Sequence, residues 1–334
     1  MRKMSYAGAI VEALRTSFLE DRNFSLIGSY VLGLGPKRVL MDALRAEFAD
    51  RIYDPPTSEA AVISIGAGAA MAGARPFVDI GTASFSYVGW SPLVNEAAVA
   101  RYMSDGGLRV PVVYHMLHGL RGGGAGQHSG SPQAMLWNAP GLEIVLPSSP
   151  YDVKGLMRSA IKSDNPTIFI NHARLMDLED HVPAEDYTVP FGQAVIKRAG
   201  HDVTVVATSF VVHAALSAAE RLAIDGIEVE VVDPRTLVPL DHATILDSVR
   251  RTGRLVVVDE APLSCGVAAE ISAIVAEEGF DYLRSPIVRV ARPDLPVPFS
   301  RPLEDSITPT AERVVEAIRG LSDGRPDGAA ARLS

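Results

Sequence analysis

Short apolar runs rich in β-branched residues alternate along the chain with stretches of helical period, the pattern of parallel α/β layers. In the first half, SLIG (25–28), PFVDI (76–80), VPVVYHM (110–116), LEIVL (142–146) and PTIFI (166–170) predict strands. Helical stretches separate them. The clearest begins at Ser149 as N-cap, with Pro150 at the first helical position and Asp152 in the first turn, and continues through VKGLMRSAI. Residues 1–22 read as an amphipathic helix, and 61–74, AVISIGAGAAMAGA, as a helix whose small residues allow close approach to another backbone. From His172 to Phe191 the pattern lapses into charged, proline-containing sequence, which reads as an interdomain connection. It restarts with DVTVVAT, a helix VVHAALSAAERLAIDG, IEVEVVD, a helix over 241–252, RLVVVDE, a helix in VAAEISAIVAEEG, PIVRVA and a last helix TAERVVEAIRGL. The predicted fold class is α/β with two doubly wound domains, 1–180 and 194–322, a linker at 181–193 and a disordered tail at 323–334. No internal repeat at a fixed period is visible.

Composition narrows the function classes. At 334 residues the chain is too long for one ordinary core. With 47% hydrophobic and 21% charged residues it reads as globular, and no apolar run reaches the length of a membrane span. Glu12, Glu20 and Asp21 near the N-terminus suit neither a secretory signal nor a transit peptide, so a cytoplasmic location is expected. The net charge of −9, with no Lys/Arg cluster, argues against a nucleic-acid partner. Cys265 stands alone, which excludes an internal disulfide and a cysteine metal cluster.

The candidate chemistry starts at GLRGGGAGQHSGSP, residues 119–132, directly after a predicted strand. It has no GxxxxGK[ST] and no Lys, so it is not a Walker loop. Gly122 and Gly124 have the first spacing of GxGxxG, but Gln127 stands at the third glycine position. What remains is a flexible backbone beside His128, read either as a surface loop or as the rim of a site. Glu59, in DPPTSEAAVISIGAGAAMAG, opens the Gly/Ala helix, where a carboxylate complements the helix dipole. His115 and His118 form an HxxH pair, open to three readings: satisfied polar histidines, contacts to a substrate hydroxyl or phosphate, or a zinc pair that lacks a third ligand at a usual spacing.

The order of these features resembles one family. TSE with its small-residue helix, G-x-RP before a strand, PVV before the Gly loop and QHS, then PGL, SAI and NP, and DPRTLVPLD (233–241) and VDEAP (258–262) in the second half, are similar to the beta subunits of the thiamine-diphosphate-dependent dehydrogenase component of 2-oxo acid dehydrogenase complexes. The pyruvate, branched-chain and acetoin enzymes belong there, and the resemblance covers about residues 5 to 320. It implies a pyrimidine-binding domain followed by a transketolase C-terminal-like domain. The coenzyme is activated through a carboxyl group hydrogen-bonded to its pyrimidine ring, and Glu59 matches that residue. Phe85, in TASFSYVGW, matches the aromatic that packs on the pyrimidine, and His128 the histidine that handles protons of the substrate-derived adduct. Ala160, Ile161, Asp164 and Asn165 match a potassium site.

The resemblance also implies what lies on other chains. No GDG…N motif for magnesium and diphosphate occurs here, so this chain carries half a site. The other half is expected on an alpha-type subunit in an α2β2 heterotetramer, with a lipoyl acyltransferase or carrier protein accepting the acyl fragment. Three positions depart from the family: Gly28-Ser29-Tyr30 where an acidic residue is usual, Ser91-Pro92 in place of an Asp-Gln pair, and Val88 in place of a polar neighbour of the coenzyme. Two further readings stand beside this one. A split transketolase-like subunit would pass a two-carbon ketol unit to an aldose or an acyl carrier protein, and a non-catalytic Rossmann-like subunit would tolerate loss of Glu59.

Overall fold

The computed structural model describes residues 1–28, 30 and 38–322. Ser29 and the tail expected to be disordered at 323–334 lie outside the described residues. The chain forms two compact units, Met1–Gly119 with Gln127–Phe191, and Leu120–Gly126 with Gly192–Ser334. The glycine-rich stretch expected in the first domain is therefore compact with the second.

Chain order is β1 (Arg2–Ser5), α1 (Tyr6–Glu20), β2 (Phe24–Ile27), α2 (Arg38–Phe48), β3 (Ile52–Tyr53), α3 (Glu59–Met71), β4 (Arg75–Thr82), α4 (Ala100–Met103), β5 (Val113–His118), α5 (Ala125–His128), α6 (Gln133–Trp137), β6 (Glu143–Val145), α7 (Pro150–Lys162), β7 (Thr167–His172) and β8 (Glu179–Val182). Within the first unit six parallel strands lie in the order β6-β7-β5-β4-β2-β3. Their inner positions are buried on both faces and mostly apolar, as suits a sheet covered by helices. The chain steps from β2 to β3 on one side and then crosses back over β2 to β4 on the other, so the order reverses between β2 and β4. In such sheets the crevice beyond the carboxyl ends at that reversal is where ligands bind.

Two expectations shift for non-local reasons. The N-terminal helix starts at Tyr6, capped by the Ser5 hydroxyl, which accepts from Gly8 N at 3.1 Å. Residues 2–5 pair antiparallel with β8, inside the segment read as an irregular connection. The strand expected from 110 begins at Val113 instead, since Pro111 has no N–H to give to a ladder. The cap of α7 is as expected, with Ser149 Oγ accepting from Asp152 N at 3.1 Å.

Helix α3 carries Glu59 at its first position and lies on β4. Gly66 faces the strand so closely that a Cβ there would collide with Val78 Cγ2, and both residues are buried. Gly66→Ala gains about 1 kcal/mol of helix propensity, but overpacking of a rigid β-branched neighbour typically costs about 1–3 kcal/mol or more. We expect a net loss of about 1 kcal/mol or more, read as a lower denaturant midpoint at unchanged m.

The second unit comprises β9 (Val195–Arg198), β10 (Val203–Ala207), α8 (Val211–Ile224), β11 (Val229–Asp233), β12 (Thr236–Val238), α9 (His242–Thr252), β13 (Leu255–Pro262), α10 (Val267–Glu278), β14 (Val288–Arg292), α11 (Arg301–Ile307) and α12 (Ala311–Ser322). Five strands lie in the order β14-β13-β10-β11-β9, parallel except for β9. A valine-rich core joins β10, β11 and β13 to α8 and α12. Asp241 caps α9 by accepting from Thr244 N at 3.0 Å, and Gly253 ends it in the left-handed region at φ +72°. Strand β9 and helix α11 have no clear periodic signal, being four and seven residues long.

Candidate active site

The crevice at the β2/β4 reversal is built by the segments that leave the carboxyl ends of those strands. Gly28, after β2, has φ +81°, and a Cβ there would press on the Asp79 carbonyl and the Tyr30 ring. Gly81, at the irregular end of β4, has φ +84° and meets the same ring. Both positions need glycine, because the left-handed region and the approach of Tyr30 exclude a side chain. Tyr30 belongs to the Gly28-Ser29-Tyr30 stretch that stands where the family usually has an acidic residue, and its buried hydroxyl has no hydrogen-bond partner among the described residues.

After β4 the chain makes a 3₁₀ turn over Ala83–Tyr87 that carries Phe85. The Phe85 ring meets the His128 ring edge-on, centroids 5.1 Å apart, and His128 Nδ1 lies 3.5 Å from Thr82 Oγ1. Glu59 reaches the same segment from α3: a Cβ on Gly89 would stand 3.3 Å from the Glu59 carbonyl oxygen. The Glu59 side chain is half-buried, and its carboxylate makes no hydrogen bond or ion pair among the described residues. The N-cap Ser58 also makes no side-chain capping bond. The start of α3 is therefore dressed with polar groups that its own helix does not use.

Further polar atoms converge on the same rim. Gly130 sits against Ser84 so closely that any side chain there would displace the Ser84 hydroxyl. Ser84 Oγ, Ser129 Oγ and Gln133 Oε1 are buried without hydrogen-bond partners among the described residues. Such orphaned groups are costly unless a ligand or water satisfies them. The sequence patterns do not single out Thr82, Ser84, Ser129 or Gln133. Only their nearness to Phe85 and His128 in the chain could draw attention to them.

His115 and His118 are set apart from one another. On β5 they stand three residues apart, so their side chains leave opposite faces of the strand and cannot chelate one ion. Among the described residues no group of three or more His, Cys, Asp or Glu is arranged to hold a metal. His115 is 1% exposed and fully engaged: Nε2 takes the Asn171 amide at 2.6 Å, and Nδ1 lies 3.4 Å from Asp79 Oδ1. Tyr6 OH donates to Asn171 Oδ1 at 2.5 Å, and Asp79 Oδ1 accepts Gly81 N at 3.0 Å. The network ties β4, β5 and β7 together beneath the crevice. His118, also buried, has Gln133 Nε2 at 3.0 Å and Ser131 Oγ at 3.3 Å from Nδ1. It therefore braces the segment just after His128.

The four residues matched to a potassium site do meet at the C-terminus of α7, but arginines share their oxygens. Arg75 donates to Ile161 O at 3.2 Å, Ser163 O at 2.9 Å and Asp164 Oδ1 at 2.6 Å. Arg109 pairs with Asp164 Oδ2 at 3.0 Å, Arg101 donates to Asn165 Oδ1 at 2.6 Å, and the Ala160 carbonyl accepts Ser163 N at 3.2 Å. A guanidinium already supplies the positive charge that a helix C-terminus favours. These oxygens fit a potassium ion poorly while the arginines hold them.

Comparison with known proteins finds two domains along the chain. Residues 2–177 match the transketolase pyrimidine-binding domain, and 192–314 match the transketolase C-terminal domain. A solved structure of a split-gene transketolase, described as an inactive beta4 tetramer, superposes with a TM-score of 0.79 over 96% of this chain and 99% of that one. At 22% identity it shows the fold alone. The two domain matches define the class of transketolase-type, thiamine-diphosphate-dependent proteins. Over 333 residues the chain is 41% identical to the beta subunit of acetoin:2,6-dichlorophenolindophenol oxidoreductase of Cupriavidus necator, covering 97% of this chain and 98% of that one. It is 37% identical to the 2-oxoisovalerate dehydrogenase subunit beta of Bacillus subtilis, covering 97% and 100%. The chain belongs to the family of thiamine-diphosphate-dependent 2-oxo acid and acetoin dehydrogenase beta subunits.

Proposed function

We propose that this chain is the beta half of a thiamine-diphosphate-dependent dehydrogenase that cleaves the carbon–carbon bond next to the carbonyl of a 2-oxo acid or acetoin and passes the acyl fragment to a lipoyl or carrier thiol. One observation supports the reading: Phe85 and His128 meet edge-on just after β4, and the backbone of Glu59, the first residue of α3, lies against the same segment at Gly89. When bound, the coenzyme supplies a thiazolium carbon that adds to the carbonyl. Phe85 offers a face for its pyrimidine, and Glu59 holds a proton at the pyrimidine nitrogen. His128, beside Thr82, moves protons on the substrate side.

The coenzyme's other half is left to a partner. Ile65 on α3, Tyr87 and Val88 after Phe85, and Met135 on α6 are large apolar side chains left exposed on the elements that carry the site. They support an interface with an alpha-type subunit that would bring the magnesium–diphosphate motif, in an α2β2 arrangement, with a lipoyl acyltransferase downstream. A potassium ion at the end of α7 would have to share Ile161 O and Asp164 Oδ1 with Arg75. No helix among the described residues is long and apolar enough to cross a membrane. The ketol-transfer reading, which needs His115 or His118 to meet a hydroxyl or phosphate of the donor, is not favoured, since both rings are buried and engaged within the chain.

Calorimetry tests the division of labour. The chain alone should bind thiamine diphosphate weakly or not at all, and together with its alpha-type partner tightly and in a magnesium-dependent way. Tight, magnesium-dependent binding by this chain alone would overturn the half-site reading.

A further inference from the structure

The segment that follows His128 is tied to the sheet at two points, and every residue involved lies in the first unit. The first tie is a close approach: Gly130 stands against Ser84, the residue before Phe85. The second is polar. His118, the last residue of β5, has Gln133 Nε2 at 3.0 Å and Ser131 Oγ at 3.3 Å from its Nδ1. An amide NH₂ group only donates, so Nδ1 accepts and the ring proton sits on Nε2. The ring is fixed in turn: His118 pairs in register with His172 on β7, the two rings meet edge to face with centroids 4.9 Å apart, and His172 Nδ1 accepts Arg174 N at 3.0 Å. Gln133, the first residue of α6, is 2% exposed, and its Oε1 has no hydrogen-bond partner among the described residues. A buried amide with an orphaned oxygen is a poor stabilising element, because desolvation of that oxygen offsets what the NH₂ bond contributes. What the amide does supply is direction, drawing the start of α6 to the end of β5.

The His128 ring is exposed, and its own contacts are weak: one edge to Phe85 and a 3.5 Å approach to Thr82 Oγ1, at the limit of a hydrogen bond. Its place is therefore set by its backbone. We propose that His118, through Gln133, is a positioning residue for His128: it holds the 129–133 segment against β5 and so fixes where the His128 ring stands beside Thr82 and Phe85. The inference rests on His128 serving the substrate, as proposed above.

The test is made in the complex with the alpha-type partner, with reduction of a dye acceptor and thermal unfolding as the two readouts. Gln133→Met keeps the side-chain length and removes the orphaned oxygen together with the NH₂ bond. It should leave the melting temperature unchanged or higher and lower kcat by about 10- to 100-fold, the scale of a misplacement of about 1 Å. Proton exchange at the coenzyme's thiazolium carbon should stay at the parent rate. His118→Asn, whose Oδ1 can accept where Nδ1 does, should keep most of kcat, whereas His118→Leu, closer in volume but unable to accept, should lose as much as Gln133→Met. A role in packing alone would rank these two the other way. If Gln133→Met does not assemble, the comparison of Asn with Leu at position 118 carries the test. In a His128→Ala background Gln133→Met should add nothing, because the group it positions is gone. Parent kcat in Gln133→Met, a melting temperature that falls together with kcat, Asn no better than Leu at position 118, or full additivity with a slow His128→Ala would each overturn the inference alone. Parent turnover in His128→Ala would overturn the reading of His128 and this inference with it.

Discussion

Glu59→Gln should fold and assemble almost as the parent does and yet turn over ~10³-fold more slowly or worse. The small structural cost comes from the site itself: the Glu59 carboxylate makes no hydrogen bond or ion pair among the described residues, and its one structural service is to the dipole at the start of α3. A first-turn carboxylate contributes about 0.3–1 kcal/mol, and glutamine is nearly as good a helix former as glutamate. The catalytic cost has a different origin. An amide cannot hold the pyrimidine proton as a carboxyl group does, and loss of a positioned acid–base group costs ~10² to 10⁴. The coenzyme cannot react without that proton, so the loss should lie at the upper end. NMR of proton exchange at the thiazolium carbon in the assembled complex isolates the step. Exchange at the parent rate would reduce Glu59 to a helix cap and leave room for a non-catalytic binding subunit.

The alternation of apolar runs and helices is enough to read two α/β units, because strands covered on both faces must be nearly continuous Val, Ile and Phe, as in PFVDI and DVTVVAT. Caps are legible for the same local reason: Ser149 and Asp241 each bond within three residues of themselves. Pairings between distant segments are not. Nothing in RKMS announces a partner at Glu179–Val182, and nothing near Gly122 points to a carboxylate at residue 304. The HxxH pair misleads along the chain, since spacing alone does not say that a strand sends the two rings to opposite faces. Glu59 shows the limit most plainly. Its position at a helix start looks like dipole chemistry, and only the lack of a partner for its carboxylate among the described residues, together with family resemblance, points to the coenzyme.

His128→Ala should separate the histidine's role from that of Glu59. If the ring serves the substrate, the variant keeps coenzyme binding and thiazolium proton exchange but loses ~10²- to 10⁴-fold in a later step. Little should be lost in folding. The ring is exposed on the short turn α5, its contacts are one edge to Phe85 and a 3.5 Å approach to Thr82 Oγ1, and its removal opens no sealed cavity. Its neighbours Ser84 and Ser129 have buried hydroxyls with no hydrogen-bond partner among the described residues, a cost that a polar group admitted beside the ring would relieve. Single-turnover measurements with a dye and with the natural thiol acceptor then locate the defect. A loss in both assays assigns His128 to carbon–carbon cleavage, whereas a loss confined to the thiol acceptor assigns it to acyl transfer. Parent rates in both would make QHS a structural turn and strip the glycine-rich stretch of its catalytic meaning.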